Sequence, residues 1–278
     1  MYRKIIWPLL LLASVGLMVV FIIGFATSIT VSNGNRADTT SVIETASIES
    51  TQGDANDNDA ADATDAVDAV NPNILILGDS IGFGIGDDPN QGLGIRYAAM
   101  LDPEGIQDIK ITNLSIPGAK VSELFELVNQ PENVAALSEA TLIILSIGGN
   151  DLNNIDNLDP LSIEIDYKET LDQYMEDLQG IVSSIRTLNN RAQLSIVGLY
   201  DPYAENDSYK TSLLLQWNYE TQRIAASDLR MVFIPTYELF QYNLSTYLAA
   251  DQFHPSSLGY QAIAESLYRI LHGLNELM

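Results

Sequence analysis

Ser80 follows the apolar run Ile74-Leu75-Ile76-Leu77 and the pair Gly78-Asp79, and far downstream Asp251-Gln252-Phe253-His254-Pro255 carries one of the chain's two histidines. A serine hydroxyl is a weak nucleophile at neutral pH unless an imidazole takes its proton. The imidazole in turn needs a carboxylate to fix its tautomer and to stabilise its cation. Ser80, His254 and Asp251 supply these three groups, so the sequence offers covalent catalysis by an activated serine.

Elements that could position these groups are legible in the hydrophobic pattern. Strand-like runs cover Ile74 to Leu77, Ile109 to Leu114, Leu142 to Ser146, Leu194 to Leu199 and Met231 to Pro235. Helical patterns lie between them, around Leu93 to Leu101, Val121 to Asn129, Tyr167 to Leu188 and Ser212 to Ala226, with a last one from Ser257 to Leu274. Tyr174, Leu178, Ile181 and Ile185 recur at helical spacing and mark a core face. Alternation of strand and helix predicts an α/β fold in three layers, α/β/α, around a five-stranded, mainly parallel sheet. Sites in such folds form beyond the carboxyl ends of the strands. Ser80 follows the first strand, Ser115 to Ala119 the second, and Gly148-Gly149-Asn150-Asp151 the third. Asp251 to Pro255 precedes the last helix, where Ser256 or Ser257 could cap the N-terminus.

The front of the chain is different. No residue from Ile5 to Val31 is charged, and as a helix this run would measure roughly 40 Å, enough to cross a ~30 Å hydrocarbon core. Arg3 and Lys4 precede it and the chain turns acidic after Arg36, which places the N-terminus in the cytoplasm and the remainder outside. Residues 1–31 therefore read as a membrane anchor. A cleaved signal sequence, and hence secretion, is the alternative, although the apolar region is long for one and no clear Ala-x-Ala site follows. Residues 32–71 alternate Ser, Thr, Ala, Asn and Asp and cannot bury enough apolar surface to fold, so they read as an acidic linker reaching on the order of 35 Å. The Asp54 to Asp62 stretch lacks the glycine and terminal glutamate of a calcium loop. Residues 72–278 form the predicted globular domain.

A net charge of −24 with no basic stripe excludes nucleic acid as a partner. The chain has no cysteine, which excludes disulfides, a lipid-modified cysteine and Cys-ligated metals. Gly82-Phe83-Gly84-Ile85-Gly86 places its third glycine one residue early for a dinucleotide loop. Gly78-Asp79-Ser80-Ile81-Gly82 matches the nucleophile elbow of α/β-hydrolases, but a serine after the first strand and an acid three residues before the base argue against that fold. No cofactor or metal is implied. Taken singly, Gly118 reads as a turn after Pro117, Asn150 as a polar loop residue, Asp79 and Asp151 as turn and loop supports, and His272 as structural.

Together the blocks resemble the GDSL esterase/lipase family, also called SGNH hydrolases, over most of residues 73–272. Gly78-Asp79-Ser80 matches the first block, Gly118 the second, Gly148-Gly149-Asn150-Asp151 the third and Asp251-x-x-His254 the last, with Ile81 where the family name has Leu. Gly198-Leu199-Tyr200-Asp201-Pro202 is similar to membrane-anchored or secreted Gram-positive members. The resemblance implies Ser80 as nucleophile, His254 as base, Asp251 as its orienter, and an oxyanion hole made by the Ser80 and Gly118 backbone N–H groups and the Asn150 amide. The implied activity is extracytoplasmic hydrolysis of carboxylic esters through an acyl-serine, with an acyl lipid, a small ester or an acetylated glycan as substrate. An O-acetylesterase acting on glycans and a non-catalytic tethered binding module are the alternatives. Leu152 to Tyr167 could be a lid, an acyl wall or a plain loop, and the sequence leaves the oligomeric state open.

Overall fold

The computed structural model describes residues 72–88, 91–153, 155, 160–203 and 208–275. The predicted anchor (1–31) and the acidic linker (32–71) lie outside the described residues. No helix among the described residues is long and apolar enough to cross a membrane.

Five strands, β1 (Asn73–Gly78), β2 (Lys110–Asn113), β3 (Leu142–Ser146), β4 (Gln193–Val197) and β5 (Met231–Ile234), form one sheet in the order β2-β1-β3-β4-β5. Every pairing is parallel, with Ile76 beside Ile144 and Gly78 beside Ser146 at the centre. β1 and β3 are buried on both faces, which is why they read as unbroken Ile/Leu runs. Their side chains alternate between two cores. Leu75, Leu77, Ile143 and Leu145 face one layer of helices, among them α1 (Val121–Val128), α2 (Pro160–Leu188) and α3 (Ser208–Ala225). Ile74, Ile76, Leu142 and Ile144 face the other layer, built from α4 (Gly92–Leu101) and α5 (Ser257–Asn275).

The expected three-layer fold and parallel sheet are present, and element ends differ by a few residues. α2 begins at Pro160 instead of Tyr167 and α3 at Ser208 instead of Ser212. None of residues 163–166 near the start of α2 or 209–211 near the start of α3 is buried, so the buried stripe that periodicity detects begins only after them. Ser256 caps α5 by accepting from the Gly259 N–H at 3.2 Å, whereas the Ser257 hydroxyl donates to Asp87 at 2.7 Å.

Asp87 ties the site's two ends together. Its carboxylate also accepts from Gly92 N–H at 2.8 Å and pairs with Arg96 at 2.8 Å, the two side chains being 0% and 12% exposed. Nearby, the Tyr260 hydroxyl donates to the Ile85 carbonyl at 2.8 Å. The segment leaving Ser80 is thereby fastened to the first turn of the helix that follows His254. Burial of Asp87 opposes ionisation, but Arg96 and the Ser257 hydroxyl outweigh it and hold the carboxyl below its ordinary value.

A depressed carboxylate pKa means that this contribution is fully present above the unfolded-state value and is lost as pH falls through the folded-state value. Asp87→Ala, which removes the carboxylate partner of Arg96 and of the Ser257 hydroxyl, is expected to lower stability by about 3 kcal/mol at pH 7. The difference from wild type should shrink in strong acid. Thermal melts at pH 7 and pH 3 check both; an equal loss at the two pH values would contradict the charge assignment.

Candidate active site

In this strand order the chain leaves β1 toward β2 on one side, then returns to lay β3 on the other, so the loops after β1 and β3 diverge and open a crevice. Ser80 stands in that crevice as the first residue of a one-turn helix, Ser80–Phe83. Asp79 caps it by accepting from the Ile81 N–H at 2.9 Å, and the Asp79 N–H donates to the Ser146 carbonyl at 2.9 Å. The serine is thus pinned at the junction of the two central strands, at the start of a helix whose first N–H groups have no intrahelical acceptor.

His254 arrives from the opposite end of the chain. Its Nε2 lies 3.0 Å from Ser80 Oγ and its Nδ1 lies 2.6 Å from Asp251 Oδ2. The other carboxylate oxygen of Asp251 accepts the backbone N–H groups of Phe253 and His254, both at 3.0 Å. Asp251 therefore organises the very turn that carries His254, which explains why acid and base need only three residues of separation. Gln252 between them has φ +61°. Burial works against ionising Asp251 but is outweighed by the His254 ring and the two N–H groups, so its carboxyl is held below its ordinary value. An ionised Asp251 requires a proton on Nδ1 and leaves Nε2 as the acceptor for the Ser80 hydroxyl. Gly86 is needed here: a Cβ on it would come within 2.9 Å of His254 Cβ and 2.6 Å of the Pro255 carbonyl oxygen.

The two remaining loops bring Gly118 and Asn150 together. Ile116 to Ala119 form a tight turn closed by Ala119 N–H to Ile116 C=O at 3.0 Å, with Gly118 at φ +85°, a left-handed conformation that favours glycine. The turn does not consume the Gly118 N–H. Asn150 donates one amide hydrogen to the Ala119 carbonyl at 3.0 Å, which fixes the amide beside the turn and leaves its second hydrogen for another acceptor. Asp151, read from the sequence as a loop support, accepts the Val121 N–H at 3.2 Å and holds this loop pair from beneath. His272 lies away from these loops on the last helix with its ring against Tyr268, centroids 3.9 Å apart.

Sequence reasoning missed the cavity beside this cluster. A pocket of about 140 Å³ is lined by Ile81, Leu152, Ile155, Leu199, Leu214 and Phe253, among others. Ile81 and Phe253 are the chain neighbours of Ser80 and His254, and Gly149, also in the lining, is the neighbour of Asn150, so the pocket lies beside these residues in the chain's path. Leu152, Ile155 and Ile163 belong to the segment left open as lid, wall or loop, and they form a wall. The contribution of α3 through Leu213 and Leu214 carried no sequence signal beyond its helical period.

Two carboxylates beneath the site are displaced from ordinary behaviour. Burial pushes Asp79 up to about 6 against the opposing hydrogen bond from Ile81 N–H, and burial likewise pushes Asp151 up to about 6 against that from Val121 N–H. For a carboxyl raised in the folded state, the native protein binds more protons than the unfolded chain between about pH 4 and 6, so stability falls as pH rises through that window. Asp79→Asn, which keeps an acceptor for Ile81 N–H, is expected to remove this loss and to gain roughly 2–3 kcal/mol relative to wild type at pH 7. Little gain should appear at pH 4. Denaturant unfolding at the two pH values decides it; a variant less stable at pH 7 than at pH 4, relative to wild type, would overturn the reading.

Residues 76–262 match the model of the GDSL-like lipase/acylhydrolase family. The chain is 25% identical over 205 residues to the uncharacterized protein YpmR of Bacillus subtilis, covering 71% of this chain and 80% of YpmR. It is also 25% identical over 199 residues to the spore germination lipase LipC of Bacillus licheniformis, covering 69% of this chain and 92% of LipC. The crystal structure of the lipase Lip_vut3 from a goat rumen metagenome shares the fold, with a TM-score of 0.60 and 23% identity over 70% of this chain and 95% of that one. A family match that runs from within the first strand into the last helix takes in every loop of the crevice, and the chain accordingly belongs to the GDSL-like lipase/acylhydrolase family of carboxylic ester hydrolases.

Proposed function

We propose that this chain is an extracytoplasmic serine esterase that hydrolyses carboxylic esters bearing an apolar acyl chain. The observation that carries the reading is the Ser80–His254–Asp251 relay, whose chain neighbours Ile81 and Phe253 line a largely apolar cavity. In the proposed reaction, His254 Nε2 removes the Ser80 proton as Oγ attacks the acyl carbon. The negative charge that forms on the former carbonyl oxygen is met by the Ser80 and Gly118 N–H groups and the free hydrogen of the Asn150 amide. Donors aimed at this charge each contribute roughly 3–4 kcal/mol to the transition state. His254 then returns the proton to the departing alcohol, and water releases the acid from the acyl-serine by the same route.

The cavity supports an acyl chain over the acetyl group of the glycan alternative. An acetyl ester would leave Leu152, Ile155 and Leu214 without apolar contact, whereas each added methylene buried there contributes about 0.8 kcal/mol. Retention of every chemical group argues against a non-catalytic module. The uncharged run from Ile5 to Val31 and the acidic stretch after it support a domain held outside the cell on a single membrane anchor, with secretion after cleavage as the alternative.

Turnover of p-nitrophenyl acetate, butyrate, octanoate and palmitate by the full-length chain tests this function. Ser80→Ala is expected to reduce turnover at least about a thousandfold. The specificity constant should rise from acetate to octanoate, and Leu214→Trp, which fills the cavity, should raise KM for octanoate about tenfold while sparing acetate. Equal turnover by Ser80→Ala would remove Ser80 as nucleophile, and a wild-type preference for acetate would move the substrate toward acetylated glycans.

A further inference from the structure

The turn that presents His254 is local in its making. Leu248 pairs with Pro255, Ala249 N–H donates to the His254 carbonyl at 2.8 Å, and Gln252 N–H donates to the Ala249 carbonyl at 2.9 Å. These bonds shape the turn but do not say where it stands relative to Ser80. One bond that does so comes from Tyr200, whose hydroxyl donates to the Phe253 carbonyl at 2.6 Å across 53 residues. This acceptor is the peptide group immediately before His254.

Tyr200 stands on a rigid mount. Leu199 exchanges two hydrogen bonds with the buried Asn218 amide, at 2.8 and 2.7 Å, and the Thr236 hydroxyl donates to the Gly198 carbonyl at 2.7 Å. Asp201 accepts Tyr203 N–H at 2.8 Å and the Thr211 hydroxyl at 2.6 Å. The Tyr200 ring stacks on Phe240 with centroids 4.2 Å apart and an interplanar angle of 14°. Burial drives the phenol well above its ordinary pKa, so the hydroxyl keeps its hydrogen and remains a donor throughout the working pH range. The same ring lines the apolar cavity.

We propose that Tyr200 is a positioning residue, whose hydroxyl holds the Asp251–His254 turn at the distance from Ser80 that proton transfer requires. The assignment rests on the serine-esterase reading above. Asp251 and His254 belong to the same turn, so their mutual bond survives when the turn drifts, whereas the His254–Ser80 contact does not. Loss of the hydroxyl therefore lowers kcat without moving the pH at which the rate falls in acid. A misplacement of the order of an ångström is enough to reduce turnover by about tenfold to a hundredfold.

Tyr200→Phe keeps the ring, its stack on Phe240 and the cavity wall, and removes only the donor. Wild type, Ser80→Ala and Tyr200→Phe are compared with p-nitrophenyl butyrate across pH 5 to 9, with thermal melts alongside and with the rate of Ser80 inactivation by a fluorophosphonate. Expected for Tyr200→Phe are a kcat at least tenfold lower, an unchanged KM, an unchanged acid limb, proportionally slower inactivation and a melting temperature within a few degrees of wild type. Wild-type kcat and inactivation would overturn the assignment, as would a raised KM at constant kcat, which would make Tyr200 cavity lining alone. Collapse of the fold would also overturn it, by placing the hydroxyl in the core's stability. Wild-type turnover abolished in Ser80→Ala upholds the esterase reading whatever Tyr200→Phe does, so the two failures are distinguishable.

Discussion

The 3.0 Å approach of His254 to Ser80 joins residues 174 positions apart, and most of the architecture can be read as the means of keeping that distance. Neither side chain reaches far, so the separation must be set by backbone. On the serine side, it is set by β1 locked against β3 and by the Asp79 cap at the start of a single helical turn. On the histidine side, it is set by a turn shaped by Asp251 and by a helix whose first residues are fastened to Asp87. A buried ion pair with Arg96 then stiffens the fastening point. Stability and chemistry share these groups, because ordering a charged, partly desolvated relay is worthwhile only when the surrounding frame already fixes its members.

The sheet order supplies the place, and the loops supply the chemistry. At the divergence between β1 and β3 the backbone turns away on both sides, leaving a concavity into which the loops after β1, β2 and β3 all open. The Gly118 turn and the Asn150 amide are joined by a hydrogen bond to Ala119, so the two candidate oxyanion donors move as one unit. Asp79 caps the Ser80 turn and Asp151 accepts from Val121 N–H beside that unit, with burial raising both. Carboxylates kept in so unfavourable a setting are better understood as backbone acceptors at fixed points than as electrostatic partners of the substrate.

The sequence carried the parts of this arrangement that are local or periodic. β1 and β3 were legible because burial on both faces demands unbroken apolar runs, and the Asp251–His254 pair because acid and base share one turn. Ser80, Gly118 and Asn150 were placed at strand ends by the same periodicity, while their roles came from the resemblance of four short blocks in order. The cavity was not legible, since Ile81, Leu152, Leu199, Leu214 and Phe253 belong to five separate segments whose convergence only the packed fold creates. Nor was the bond from Tyr200 to the Phe253 carbonyl, because an acceptor on the main chain leaves no trace in residue types.

The last pieces of the fold to be synthesised are the turn at Asp251–His254 and the long helix that begins at Ser257. On the roles proposed above, the serine is synthesised early yet remains an ordinary alcohol until the turn carrying His254 is brought to it. Premature termination or incomplete folding thus yields an inert product instead of a poorly controlled hydrolase. Reactivity is in this way made conditional on the completeness of the fold.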